Sequence, residues 1–220
     1  MSSKLSHSFS SIKMFENCPL QYYRVRILKD VQNVGGEATI WGEHVHKHLE
    51  LRLKKEAMLP DDFTHMEPLV LAVERVAGNR PLEAEREAVL NSSLTPTGWW
   101  DKDAWLRSKL DVFINRAPHA YVFDWKTGKR RPDFSQLELF ALQVFAHHPE
   151  VHFVHSAFLW VKEGSMDKET YRREDMTPMW DKVLTRIKRI EQAEATGVWP
   201  AKPSGLCPFC PARPTCKYAR

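Results

Sequence analysis

Between residues 19 and 206 this chain of 220 residues has no cysteine. Thiols used for core packing would be scattered through the sequence, and a disulfide framework would space them through a short secreted domain, so the gap excludes both uses. Long apolar runs are missing too: none approaches the roughly 20 residues of a membrane span. The opening MSSKLSHSFSS is polar and has no apolar h-region of a secretory signal. Repeats and low-complexity stretches are absent. These absences predict one soluble intracellular domain over residues 1–220, with reduced thiols and no membrane contact. Charge of one sign is also scarce, since Lys plus Arg exceed Asp plus Glu by only 4. The positive charge is nevertheless clustered, at Lys29, Lys54–Lys55, Lys126, Lys129–Arg130–Arg131 and Arg172–Arg173. Such clusters are compatible with phosphate contacts and equally with solvated surface.

What the chain does have is cysteine at its two ends. Cys18 stands alone near the start, and Cys207, Cys210 and Cys216 close the sequence among prolines. One early thiol and a terminal trio suit a shared metal or iron–sulfur centre, which would make the two ends one structural unit.

The pattern of elements is mixed. Ser8 or Ser10 can cap a short helix carrying Ile12 and Phe15, and Pro19 restarts the chain into Leu20, Tyr22 and Tyr23, leaving Cys18 at a helix junction. After Gly35–Gly36, Ile40 to Met58 reads as a helix with Trp41, Val45, Leu49 and Leu53 at three-to-four-residue spacing. His46 lies on that helix, on the face of Leu49 and Leu53, between His44 and His48. A helix over Glu67 to Ala77 precedes three extended segments, Glu85 to Asn91, Ala104 to Ile114 and Ala120 to Lys126. Residues 115–119 form a hairpin-length link between the last two. A helix at Ser135 to Ala146 and a strand at His152 to Val161 follow. Helix, three strands, helix, strand is the order of an α/β sandwich with a mixed sheet.

The chemistry gathers on the middle strands. A period of two puts Asp124 and Lys126 on one face of their strand and Phe123 and Trp125 on the other. A short hairpin brings Asp111 of the adjacent strand beside Asp124. Two carboxylates and a lysine at the end of a sheet call for a reason, because close like charges repel and an unpaired buried charge is costly. A divalent cation is one, and a plain cross-strand ion pair of Asp111 with Lys126 is the other.

In order along the chain, His46 in Gly42-Glu43-His44-Val45-His46, Glu85, Asp111, Asp124-Trp125-Lys126-Thr127-Gly128, and Gln136 followed by Phe140 resemble the motifs of the PD-(D/E)XK nuclease superfamily, in its RecB-like branch. The opening Ser10-Ser11-Ile12 through Cys18-Pro19 and Tyr22-Tyr23 is similar to the start of these domains. Ser108 stands where the branch often has Gly, and Phe140 where Tyr is commoner. The cysteine pattern resembles the iron–sulfur exonucleases of CRISPR adaptation and their phage relatives.

The resemblance implies a restriction-endonuclease-like core, a mixed central sheet flanked by helices. The segments 1–30 and 197–220 would be joined by a [4Fe-4S] cluster on Cys18, Cys207, Cys210 and Cys216. It implies Mg²⁺ or Mn²⁺ on His46, Asp111, Asp124 and the Trp125 backbone carbonyl, with catalytic roles for Asp111, Asp124, Lys126, Gln136 and Glu85. Lys126 would orient the attacking water, and Gln136 would position Lys126 or the nucleic-acid backbone. The substrate would be DNA, single-stranded and cut from an end, in the cytoplasm of a bacterium or a phage-infected cell. Phosphates would meet Lys129, Arg130 and Arg131, and a helicase or recombination protein could deliver the strand. Trp180, Val183, Leu184, Ile187 and Ile190 read as the core stripe of a last long helix. Trp99–Trp100 could stack on unpaired bases. Two other readings stay open: a non-catalytic nucleic-acid-binding accessory subunit, and an interaction module stapled by zinc.

Overall fold

The computed structural model describes residues 5–33 and 35–219. The chain divides into two compact units: residues 1–35 with 181–220, and residues 36–180.

In the terminal unit, α1 (Phe9–Asn17) starts at a capping box in which Ser8 and Ser11 satisfy each other's backbone N–H groups. Ile12 and Phe15 face inward. Cys18, in an extended conformation, ends α1 and leads through Pro19 into α2 (Pro19–Tyr22) and a π-helical stretch, Tyr23–Leu28. Lys29 stops it in the left-handed region, with φ 56°. The other end of the chain packs here by aromatic contact. The Trp199 ring stacks on Tyr22 and Tyr23 with centroids 5.9 and 5.3 Å away, and meets Phe15 edge-on. Arg186 grips Glu16 with two hydrogen bonds of 2.6 and 3.0 Å, and Arg24 donates to Thr215 Oγ1 at 2.7 Å.

The central unit is a five-stranded sheet in chain order: β1 (Leu82–Leu90), β2 (Leu106–Arg116), β3 (His119–Lys126), β4 (Phe153–Trp160) and β5 (Ser165–Arg172). All neighbours are antiparallel except β3 and β4, which are parallel and joined through α5 (Phe134–His147). This is the expected mixed sheet flanked by helices. One core joins α3 (Glu37–Leu53), a 3₁₀ turn at Asp61–Met66 and α4 (Glu67–Ala77) to Val112, Ile114, Phe123, Trp125, Ala157 and Leu159 of the sheet. On α5, Leu137, Phe140, Ala141, Val144 and Phe145 are buried. α6 (Met176–Thr196) begins in this unit and runs into the other. Its Val183, Ile187 and Ile190 are buried, as a core stripe requires.

Three elements differ from the sequence reading. The helix expected over Ile40 to Met58 is α3, Glu37–Leu53: it starts on Gly36 and unwinds after Lys54, where Lys55 takes a positive φ of 61°. His46 does not share the buried stripe, which is Gly42, Val45, Leu49 and Leu53; it stands beside it, half-buried. The β2–β3 connection is tighter than five residues, only Ala117 and Pro118 lying between the strands. Strand β5 was not expected at all. Its sequence SMDKETYR is polar and mostly exposed, so no period-two apolar signal marks this edge strand.

Candidate active site

The site is built on a break in β1. Glu85 has φ 56°, a conformation that costs a side-chain-bearing residue about 1–2 kcal/mol. It alone drops out of the paired register, in which Ala84 lies opposite Val112 and Arg86 opposite Leu110. The break exchanges faces. Leu82 and Ala84 pack with Val112 and Ile114 on the α3/α4 core, whereas Arg86, Ala88 and Leu110 line a small cavity with Gln143, Val144 and His147 of α5. Simple alternation therefore fails here, and Glu85 is freed from the strand to meet the residues around it.

Those residues are His46 and Asp111. His46, Glu85 and Asp111 each offer one ligand atom, all within 4.8 Å of one another. His46 Nδ1 is 3.4 Å from Asp111 Oδ2, and the same oxygen accepts the Trp125 N–H at 2.8 Å. The Trp125 backbone is thereby tied to Asp111 through its amide N–H. Burial opposes charge on His46, but the hydrogen bond to Asp111 and the charges of Asp111, Asp124 and Glu85 outweigh it and raise the imidazole pKa.

Asp124 is buried and turned toward α5. Gln136, one turn into α5 behind its Asp133 cap, donates from Nε2 to Asp124 Oδ1 at 2.9 Å and accepts from Lys126 Nζ on Oε1 at 2.8 Å. Lys126 Nζ is 2.6 Å from Asp124 Oδ2. That approach makes an ion pair but is not aligned as a hydrogen bond, so Oδ2 is a buried oxygen with no hydrogen-bond partner. Burial and the neighbouring Asp111 carboxylate push the Asp124 pKa up to about 7, against the pull of Lys126 and His46. Lys126 also lies over the Phe158 ring, 4.8 Å from its centroid.

An open cleft of about 610 Å³ leads to the site between α3 and the sheet. Its lining includes His46, Glu85 and Thr127, together with Glu43, Lys47 and Glu50, which the sequence reading did not single out. Their signal was the three-to-four-residue spacing of 43, 46, 47 and 50 along one helix face. Gly42 lets α3 come close, since a Cβ there would meet Thr127 Oγ1 at 3.0 Å. Among the three basic residues expected at phosphates, Arg130 is engaged by Asp167 of β5, whereas Lys129 and Arg131 stand in the exposed β3–α5 loop.

In the terminal unit, Cys18, Cys207, Cys210 and Cys216 line one cavity, and none is in a disulfide. Backbone N–H groups of Lys202 and Ser204 donate to Cys18 Sγ at 3.4 Å and Cys207 Sγ at 3.3 Å. Burial pushes the Cys210 thiol pKa up, and the other three cysteines add to the effect.

The chain belongs to the PD-(D/E)XK nuclease superfamily, whose family model matches residues 6–217. No curated relative is matched by the sequence. Among solved structures, the fold is similar to a protein from Eubacterium rectale provisionally described as an exonuclease, with TM-score 0.57, 15% identity, and 97% of this chain and 90% of that one covered. It is also similar to the protein SSO0001, with TM-score 0.53, 13% identity, and 100% and 89% covered. The superfamily works with divalent metal ions, and the imidazole–carboxylate set fits one: a nitrogen and hard oxygens converge near the buried Asp124 carboxylate, which Lys126 pairs. No helix among the described residues is long and apolar enough to cross a membrane.

Proposed function

We propose that the protein is a metal-dependent deoxyribonuclease that hydrolyses phosphodiester bonds in single-stranded DNA from an end, during recombination, replication or DNA end processing. The observation that carries the reading is the convergence of His46, Glu85 and Asp111 next to the hydrogen-bonded set Asp124, Lys126 and Gln136. When bound, Mg²⁺ or Mn²⁺ would supply Lewis acidity at the phosphate and a more acidic water. His46, Glu85, Asp111 and Asp124 would hold it, the imidazole favouring Mn²⁺. Lys126 orients the attacking water and offers its ammonium protons to the phosphate oxygens as negative charge builds on them. Water oxygen bonds to phosphorus and releases a proton to solvent, the P–O bond to the leaving sugar oxygen breaks, and that oxygen takes up a proton from solvent. Gln136 holds Lys126 in place and occupies Oδ1 of Asp124, while Lys126 pairs with Oδ2 until a cation is bound.

The four thiols would hold a [4Fe-4S] cluster, as in the iron–sulfur exonucleases of the RecB-like branch. The lone Cys18 beside a terminal trio supports the cluster over zinc, whose four-cysteine sites more usually come as two CxxC pairs. The E. rectale neighbour, described as an exonuclease, supports end-directed cutting, and a cytoplasmic location accords with four unpaired thiols.

Digestion of 5′- and 3′-labelled single- and double-stranded DNA with Mn²⁺ tests the reading. Stepwise loss of nucleotides from one end of the single strand is the expected result. No cleavage of any DNA with either cation would sink it.

A further inference from the structure

The loop between β1 and β2 is tied together far more tightly than a surface connection needs. Asn91 Oδ1 accepts from the N–H of Ser93 and Thr95 and from the Thr95 hydroxyl, at 3.0, 3.2 and 2.8 Å. Asp101 Oδ2 accepts from the Gly98 N–H at 2.7 Å and the Thr97 hydroxyl at 2.8 Å, and Thr97 also bonds Asp103. What this scaffold displays is an apolar ring: Trp100 is 88% exposed. Its neighbour Trp99 lies under the Arg107 guanidinium, 5.8 Å from ring centroid to Cζ.

From that loop β2 leads back to the active site. Arg107 and Lys109 alternate with buried Leu106, Ser108 and Leu110, so both share the face that Asp111 continues, Arg107 half-buried against Trp99 and Lys109 exposed. Lys109 Nζ is 3.3 Å from the Glu85 carboxylate, so the basic track ends against the proposed cation ligands. Asp111 is five steps along the strand from Leu106, roughly 17 Å, a span of several nucleotides. An exposed rigid ring at the far end, two cations along the way and the acidic site at the near end match the parts of a single strand: an unpaired base, its phosphates and the bond to be cut.

We infer that Trp100 is a base-stacking residue that anchors single-stranded DNA several nucleotides from the cut, with Arg107 and Lys109 tracking the phosphates between. This rests on the nuclease reading for the identity of the strand, but its test is binding, measured without turnover. Fluorescence anisotropy of a long labelled oligothymidine in EDTA should show about a tenfold weaker Kd for Trp100→Ala, the scale of one lost base–aromatic stack. Trp100→Phe should restore binding, whereas Trp100→Leu, which keeps apolar surface without a ring, should bind as weakly as the alanine variant. Lys109→Gln should lower the salt slope of binding by about 1. A trinucleotide, too short to reach the loop, should bind the alanine variant and the wild type equally. Wild-type affinity for the long strand in Trp100→Ala or Trp100→Leu would overturn the inference. A wild-type protein that binds the strand through Trp100 but never cuts it would leave the inference standing and sink the hydrolytic reading.

Discussion

Asp124 pays in stability for its place in the site. A carboxyl whose pKa is raised from its ordinary 3.8 to about 7 keeps a proton in the folded state that the unfolded chain has released. Native protein then binds more protons than unfolded protein between those values, so its stability falls as pH rises through the window, and the loss is complete above about 7. His46, with its raised pKa, adds a loss of the same sign as it gives up its stabilising charge. In EDTA the melting temperature of the wild type should therefore drop from about pH 5 to about pH 8. Asp124→Asn should flatten that drop and melt above the wild type at the upper pH, while cleaving no DNA. An unchanged slope in Asp124→Asn would assign the pH dependence elsewhere. His46→Ala should weaken Mn²⁺ binding yet recover part of its activity at high Mn²⁺, which a titration of rate against metal reads directly.

At the scale of elements, the strained turn of β1 is the clearest trade of stability for geometry. Glu85→Ala and Glu85→Gly both remove the carboxylate, but only glycine accepts φ 56° without a Cβ clash. The glycine variant should be more stable than the alanine variant by about 1 kcal/mol in denaturant unfolding, and both should bind Mn²⁺ poorly. Equal stability would mean that the break in β1 relaxes once the carboxylate is gone. This is also where the sequence was least informative. Asp111, Asp124 and Lys126 could be placed on strands because those strands carry clear apolar periods, Gln136 came only with the family resemblance, and α4 was legible to its ends. The exchange of faces at Glu85 was not, since it depends on one backbone conformation that no side-chain pattern encodes. Strand β5 escaped because an edge strand with both faces largely wet carries no hydrophobic signal.

Over the whole molecule, residues 1–35 and 181–220 form one compact unit, and cysteine spacing is the only sequence signal that relates the two ends. The aromatic seat that receives the C-terminal tail, Trp199 on Tyr22 and Tyr23, was not legible, because stacking partners far apart in sequence leave no local pattern. If all four thiols hold one cluster, it closes a loop of nearly the full chain, and loop-closure entropy grows with length. Cys18→Ser should then lose colour, iron and sulfide together and melt lower by roughly 10 °C, as Cys210→Ser should. Near-wild-type iron in Cys18→Ser would make Cys18 a bystander. The central claim, that the residues gathered around Asp124 cut a phosphodiester bond, meets its most direct test in Lys126→Ala. That variant keeps every proposed cation ligand, so its Mn²⁺ binding should persist while its rate on end-labelled single-stranded DNA falls at least a hundredfold. Turnover at the wild-type rate in Lys126→Ala would contradict the account.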